Sequence, residues 1–165
     1  MQKRNQIFGF LILTLLMSCQ YDPYAHKYTI IEPKESDLIG TYAFEKQTID
    51  YDIAEFKDSM NNRIVIPKIG INSNGTYKVV NFPVFENLMN PTFTGLITNT
   101  GKWNKTTIGA VRDETGELKN IWGMYFDQLP EASKYMGLMN KEYPYELIFV
   151  FGDPDEGNVM IFKKE

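Results

Sequence analysis

The sequence predicts an all-β domain, an antiparallel barrel or sandwich of about eight strands with one short helix. Three observations carry that expectation. Asn74-Gly75 stands between two apolar, β-branched runs, and Asn-Gly in that setting is the strongest short-range hairpin signal. Gly, Asn, Asp and Pro clusters recur between further such runs, spaced roughly 8–12 residues apart, which is the rhythm of a sheet built from hairpins. The chain has 165 residues, 43% hydrophobic and 14% aromatic, enough apolar material for one buried core and unlike a disordered chain.

Two segments of another kind precede the domain. Lys3 and Arg4 form a short cationic head, and Ile7 to Met17 is an apolar run broken only by Gly9 and Thr14. A spanning helix needs about 20 apolar residues, so this run matches the core of a signal peptide instead. Leu16-Met17-Ser18-Cys19 resembles the bacterial lipobox: an apolar residue, a variable one, a small one, then Cys. The resemblance implies a signal peptide over 1–18, cleavage before Cys19, and lipidation of Cys19. Acyl chains contribute about 0.8 kcal/mol per buried CH₂, and two or three chains anchor stably. Removing residues 1–18 leaves 15 basic and 21 acidic residues, a charge of −6. Such a body gains nothing from an anionic membrane surface, so the lipid must hold it there.

Gln20 follows the Cys, where the enteric inner-membrane retention signal has Asp. The expected location is therefore the cell envelope, as an outer-membrane lipoprotein. No acidic run directly follows Cys19, which favours the periplasmic face over the cell surface. Residues 19–36, with Pro23, Pro33 and the only His, His26, read as the lipidated Cys and a flexible tether with a coil reach of roughly 20–25 Å.

The domain is expected over 37–165. Leu38 to Phe44 opens it with Tyr42 and Phe44 on one face. Arg63 to Ile71 and Thr76 to Val80 flank the Asn74-Gly75 turn, with Pro67 confined to an edge or bulge. Phe93 to Thr98 and Gly101 to Ile108 flank a second turn at Asn99-Thr100-Gly101. Ala110-Val111 and Leu118 to Phe126 flank residues 112–117, and Glu146 to Phe151 and Asn158 to Lys163 flank residues 152–157. Pro83 to Pro91 reads as an apolar loop, which could form a lid or a partner surface or simply be buried without a function. Ala132, Tyr135, Met136 and Met139 fall at helical spacing after Pro130, and predict the short helix over 130–140.

Leu38-Ile39-Gly40-Thr41-Tyr42 is similar to the entry strand of lipocalin-like domains, although Tyr42 stands where that motif ordinarily has Trp. Asn74-Gly75-Thr76-Tyr77 followed by Gly101-Lys102-Trp103 resembles the hairpin and Gly-x-Trp of small bacterial lipocalin-like lipoproteins. Gly152-Asp153-Pro154-Asp155-Glu156-Gly157 is similar to the last hairpin of a group of small uncharacterised bacterial proteins. These stretches imply a lipocalin-like β-barrel and are silent about chemistry.

The acidic balance, 21 Asp and Glu against 17 Lys and Arg, lacks the basic footprint of a nucleic-acid binder. One His and one Cys supply neither a metal site nor a nucleophilic triad, so no cofactor, metal or catalytic residue is assigned. Asp153-x-Asp155-x-Gly157 has the alternation of a calcium loop, but Lys164 stands where an EF-hand needs its bidentate Glu, so the segment reads as a turn. Tyr42, Trp103, Trp122 and Tyr125 are the ligand-binding candidates, rings that could line a pocket or simply fill a core. Asp58-Ser59-Met60 resembles a sequon for O-glycosylation of exported proteins and flags Ser59.

Three functions stay open at this level. The first is a non-enzymatic, lipid-anchored envelope protein, attached to the membrane through its lipid, that binds a small apolar ligand or an envelope partner protein. The second is a hydrolase using the acidic cluster near Asp52 and Glu55, since glycoside hydrolysis needs two carboxylates about 5–9 Å apart. The third is a structural or inhibitory lipoprotein without a pocket.

Overall fold

The computed structural model describes residues 22–48, 56–57, 63–87, 89 and 91–165. Eight antiparallel strands, β1 (Gly40–Gln47), β2 (Lys68–Ile71), β3 (Thr76–Phe85), β4 (Phe93–Arg112), β5 (Leu118–Phe126), β6 (Tyr135–Met139), β7 (Glu146–Val150) and β8 (Val159–Lys164), follow one another around a ring. Each pairs with the next, and β8 closes on β1, with Tyr42 opposite Lys164 and Gln47 opposite Met160. Closure leaves no row of unpaired backbone groups at a sheet edge. The all-β barrel expected from the punctuation is the fold. Among the described residues no helix is long and apolar enough to cross a membrane.

The alternation of side chains along each strand sorts the residues into two sets. Tyr42, Ile69, Ile71, Tyr77, Val79, Met124, Phe126, Met136, Leu138, Leu147, Phe149, Met160 and Phe162 point inward and form the main core. Three of the expected turns are present. Gly75 at φ +77°, Gly116 at +82° and Gly157 at +67° supply the left-handed residues of the β2–β3, β4–β5 and β7–β8 connections. In the last, Asp153 accepts a hydrogen bond from the Asp155 amide and caps a 3₁₀ turn over Pro154–Glu156.

Four expectations are corrected. No turn interrupts β4 at Asn99-Thr100-Gly101: these residues pair with Lys78, Val79 and Tyr77 in an unbroken ladder. Gly101 is required by close approach, since a Cβ there would lie 2.8 Å from the Tyr77 ring and against the Asp127 carboxylate. The helix expected over 130–140 is a 3₁₀ turn at Glu131–Ser133 followed by strand β6. From Met136 to Met139 both faces of β6 are buried, so strand alternation is hidden there and the apolar spacing mimics a helix. The described helical pieces are instead one turn of α-helix, α1 (Glu35–Leu38), and short 3₁₀ turns. Pro83 to Phe85 belong to β3 and not to a loop, and Phe85 is buried.

The last correction concerns the expected tether. Over its described part, from Asp22, it lies along the outside of the barrel. The Thr29 amide donates to the Leu138 carbonyl, the Asn140 amide to Lys27 and the Trp122 amide to Thr29, each at 2.9 Å. Tyr28 forms a bridge with Met139 and packs with Ile148, Val159 and Ile161 in a second, outer apolar cluster. Gly137 lets this strap approach, because a Cβ there would stand 2.9 Å from Ile148 and 3.6 Å from the Tyr28 ring. Burial, reinforced by the nearby Asp22 carboxylate, pushes the Tyr28 hydroxyl above its ordinary pKa.

Candidate functional site

The interior of the barrel is occupied by its own rings. Phe82 stacks on Phe162 with centroids 5.8 Å apart, Phe149 meets Phe151 edge-on at 4.5 Å, Phe151 meets Phe85 at 4.6 Å and Tyr77 meets Phe126 at 5.0 Å. Such offset and T-shaped pairs add to the area they bury. Tyr42 is fully buried, and its hydroxyl donates to the Leu38 carbonyl at 2.9 Å. Burial raises that phenol's pKa. Trp103 is buried, and its Nε1 donates to the Asn72 carbonyl at 3.0 Å. Both polar groups are thus committed to backbone carbonyls of this chain and not turned to an internal cavity.

The four ring candidates do not converge on one pocket. Trp122 is half-buried against the main core, with the Lys105 ammonium 5.2 Å from its ring centroid. Tyr125 lies on the outward face of β5, beside Tyr135 at 5.1 Å. Cys19, Ser59, Asp52 and Glu55 lie outside the described residues.

An open apolar cleft of about 440 Å³ lies at the rim of the barrel. Phe44, Lys46 and Gln47 of β1 form one wall, and Phe56, Ile64, Val65 and Ile66 of the β1–β2 connection form the other. The local backbone explains the shape. A register shift between Phe44 and Lys46 bends the end of β1. The Val65 amide donates to Phe56 and the Phe44 amide to Pro67, so residues 63–67 run beside the strand without joining its regular ladder. Alternation does the rest: Val65 packs on the core, while Ile64 and Ile66 are 61% and 59% exposed. Phe56 meets Phe44 edge-on at 5.0 Å and reaches Phe93 of β4 at 6.2 Å.

A second cleft, also about 440 Å³, separates the strap from the β4–β5 hairpin and Lys141. It contains His26, which is exposed. Its carboxylates already have work. Asp113 Oδ1 accepts from the Thr115 hydroxyl, the Thr115 amide and the Glu117 amide, at 2.6, 2.9 and 3.0 Å, and the Glu114 carboxylate pairs with Lys141 at 3.2 Å. The Thr115 hydroxyl first, then the backbone amides and Lys119, holds the Asp113 carboxyl below its ordinary pKa. Among the described residues no group of three or more His, Cys, Asp or Glu side chains is placed to hold a metal ion.

No family model matches the chain, and neither curated proteins nor solved structures give a match.

The rim cleft was hidden in the sequence because Ile64, Val65 and Ile66 read as part of a strand running to Ile71. The available signal is Pro67. It cannot donate to a ladder, and β2 begins only after it, so the three branched residues ahead of it are released to form a wall.

Proposed function

We propose that this chain is a lipid-anchored, non-enzymatic protein of the bacterial envelope whose lipocalin-like barrel binds a small apolar ligand at its rim. The observation that supports this reading is the contrast between the interior, where Phe82 packs on Phe162 and Phe149 on Phe151, and an open cleft walled by Phe44, Phe56, Ile64 and Ile66. An exposed concave apolar surface of this kind is where ligands gain most from leaving water. The lipobox-like Leu16-Met17-Ser18-Cys19 supports the anchor, and Gln20 after it supports the outer membrane.

Two experiments test the reading. Cys19→Ser should leave an uncut precursor and abolish labelling by a palmitate analogue, and equal labelling of both proteins would remove the anchor. Titration with a naphthylamine fluorophore should give saturable binding that Ile64→Asp weakens at least tenfold, because a carboxylate would have to be desolvated on the cleft wall. Leu118→Asp, a control on an equally exposed apolar residue of the β4–β5 hairpin, should leave it unchanged. Binding indifferent to Ile64→Asp would refute the rim as the site, and a hydrolytic activity lost in Asp52→Asn or Glu55→Gln would put the enzyme reading ahead.

A further inference from the structure

The rim cleft lies at the end of the barrel from which the N-terminal segment departs. Pro23 packs against the β7–β8 turn, where a Cβ on Gly157 would stand 3.1 Å from its ring. The Gly157 carbonyl accepts from the Thr48 hydroxyl at 2.5 Å, and the Thr48 amide donates to Val159. Thr48 directly follows Gln47, which lines the cleft. The described chain begins at Asp22, three residues after Cys19. Three residues span at most roughly 11 Å, so a lipid on Cys19 enters its bilayer close to this turn.

The exposed apolar side chains of the neighbouring connections are gathered at the same end. In a ring of sequential antiparallel strands, the connections after β1, β3 and β7 share one end, and the contacts agree. Phe93 reaches Phe56, and the Met89 carbonyl stands 3.9 Å from a Cβ on Gly152. Ile64, Ile66, Met89 and Phe93 are each at least 40% exposed. Exposed apolar side chains gathered at one end of a barrel mark an interaction surface, and Pro23 against the β7–β8 turn brings the N-terminal segment to that same end.

We infer that this rim is a bilayer-docking face: the barrel stands end-on upon the membrane that holds its anchor, with acyl chains of the phospholipids against Ile64, Ile66 and Phe93 and in the cleft. The inference rests on the lipid-anchor reading and names the apolar ligand of that same site as membrane acyl chain. Charge does not drive the docking. The β1–β2 connection carries Asp50, Asp52, Glu55 and Asp58 beside its basic residues, so the anchor and the apolar contact supply the attraction. The anchor supplies the affinity, and the rim sets the orientation.

The test uses the full lipidated protein in vesicles of phosphatidylethanolamine and phosphatidylglycerol. Cys19 is the only Cys in the chain, so Ile64→Cys and Phe93→Cys each introduce one thiol for a bimane label. Leu118→Cys, beside Arg112 at the far end of β4 from Phe93, is the control. With brominated acyl chains, the labels at 64 and 93 should lose most of their emission and the label at 118 should lose almost none. If the protein floats with the vesicles but the labels at 64 and 93 behave like that at 118, docking is overturned and the anchor stands. If the protein neither incorporates palmitate nor floats, the anchor reading fails and docking falls with it.

Discussion

The molecule has two apolar regions built on the same strands, and they obey different rules. The inner core takes alternate residues of β2, β7 and β8 and, across their register shifts, the inward residues of β1 and β3, and its rings touch one another across the barrel. The outer cluster takes the intervening residues of only one sector, Met139, Ile148, Val159 and Ile161, and exists because Tyr28 covers them. The first region is a property of strands that close on themselves. The second depends on a segment remote in sequence, held by backbone hydrogen bonds, by the Thr29 hydroxyl on the Asn140 carbonyl and by the buried Tyr28 ring. The difference teaches that a barrel of this size hides a continuous apolar strand wherever a strap lies over it. Leu147-Ile148-Phe149-Val150-Phe151 and Val159-Met160-Ile161-Phe162 are such strands, buried on both faces.

The largest expected effect falls on the inner region. Phe162 stacks on Phe82 and lies 5.9 Å from Phe44, so Phe162→Ala removes a fully buried ring from the centre and should cost about 3–5 kcal/mol. A urea melt measures it, and a loss below that of the outer variant would mean the inner rings do not dominate. Next comes Tyr28→Ala, which strips the strap of its buried ring and should cost about 1.5–3 kcal/mol. Its signature is local: the amides of Thr29, Trp122 and Asn140 should exchange faster, while those of β1 to β3 keep their protection. Faster exchange everywhere would make the outer cluster part of the same cooperative unit and erase the distinction.

The smallest effect lies at the tip of the β4–β5 hairpin, across the second cleft from the strap. The Asp113 carboxylate is hydrogen-bonded when charged, so its folded pKa lies below the ordinary 3.8. A depressed carboxyl pKa contributes stability above the ordinary value and loses it as pH falls through the folded one. Amide exchange at Glu117 should therefore accelerate relative to Val79 on acidification below pH 3.8, and Asp113→Asn should abolish that pH dependence. Because this aspartate is at the surface, the change should stay at the tip and leave the melting of the two apolar regions unmoved.

Much of the barrel was legible because turn chemistry is local. Asn74-Gly75, Gly116 and Gly157 demand a left-handed residue whatever surrounds them, and Tyr42 and Phe44 share one face of β1 as strand alternation requires. The helix expected over 130–140 failed for the opposite reason. Met136 and Met139 share a spacing in sequence but face different partners, one the interior and the other Tyr28. The Asn99-Thr100-Gly101 turn failed because a ladder with Tyr77 to Val79 offers those residues more hydrogen bonds than a turn would. Of the candidate site, Tyr42 and Trp103 were visible as rings, but nothing local could say that both spend their polar groups on Leu38 and Asn72.

The sequence by itself determined the quantities that depend on neighbours a few residues apart: the strand periodicity, the positive-φ turns and the lipobox-like Leu16 to Cys19. The tertiary structure alone decided which apolar residues became interior, strap contact or open rim. Ile64, Val65 and Ile66 are chemically almost alike, yet one packs on the core and two face outward at the cleft. The hydrophobic effect has no direction, so equal side chains receive different roles only when the closed ladder and Pro67 have set where each points.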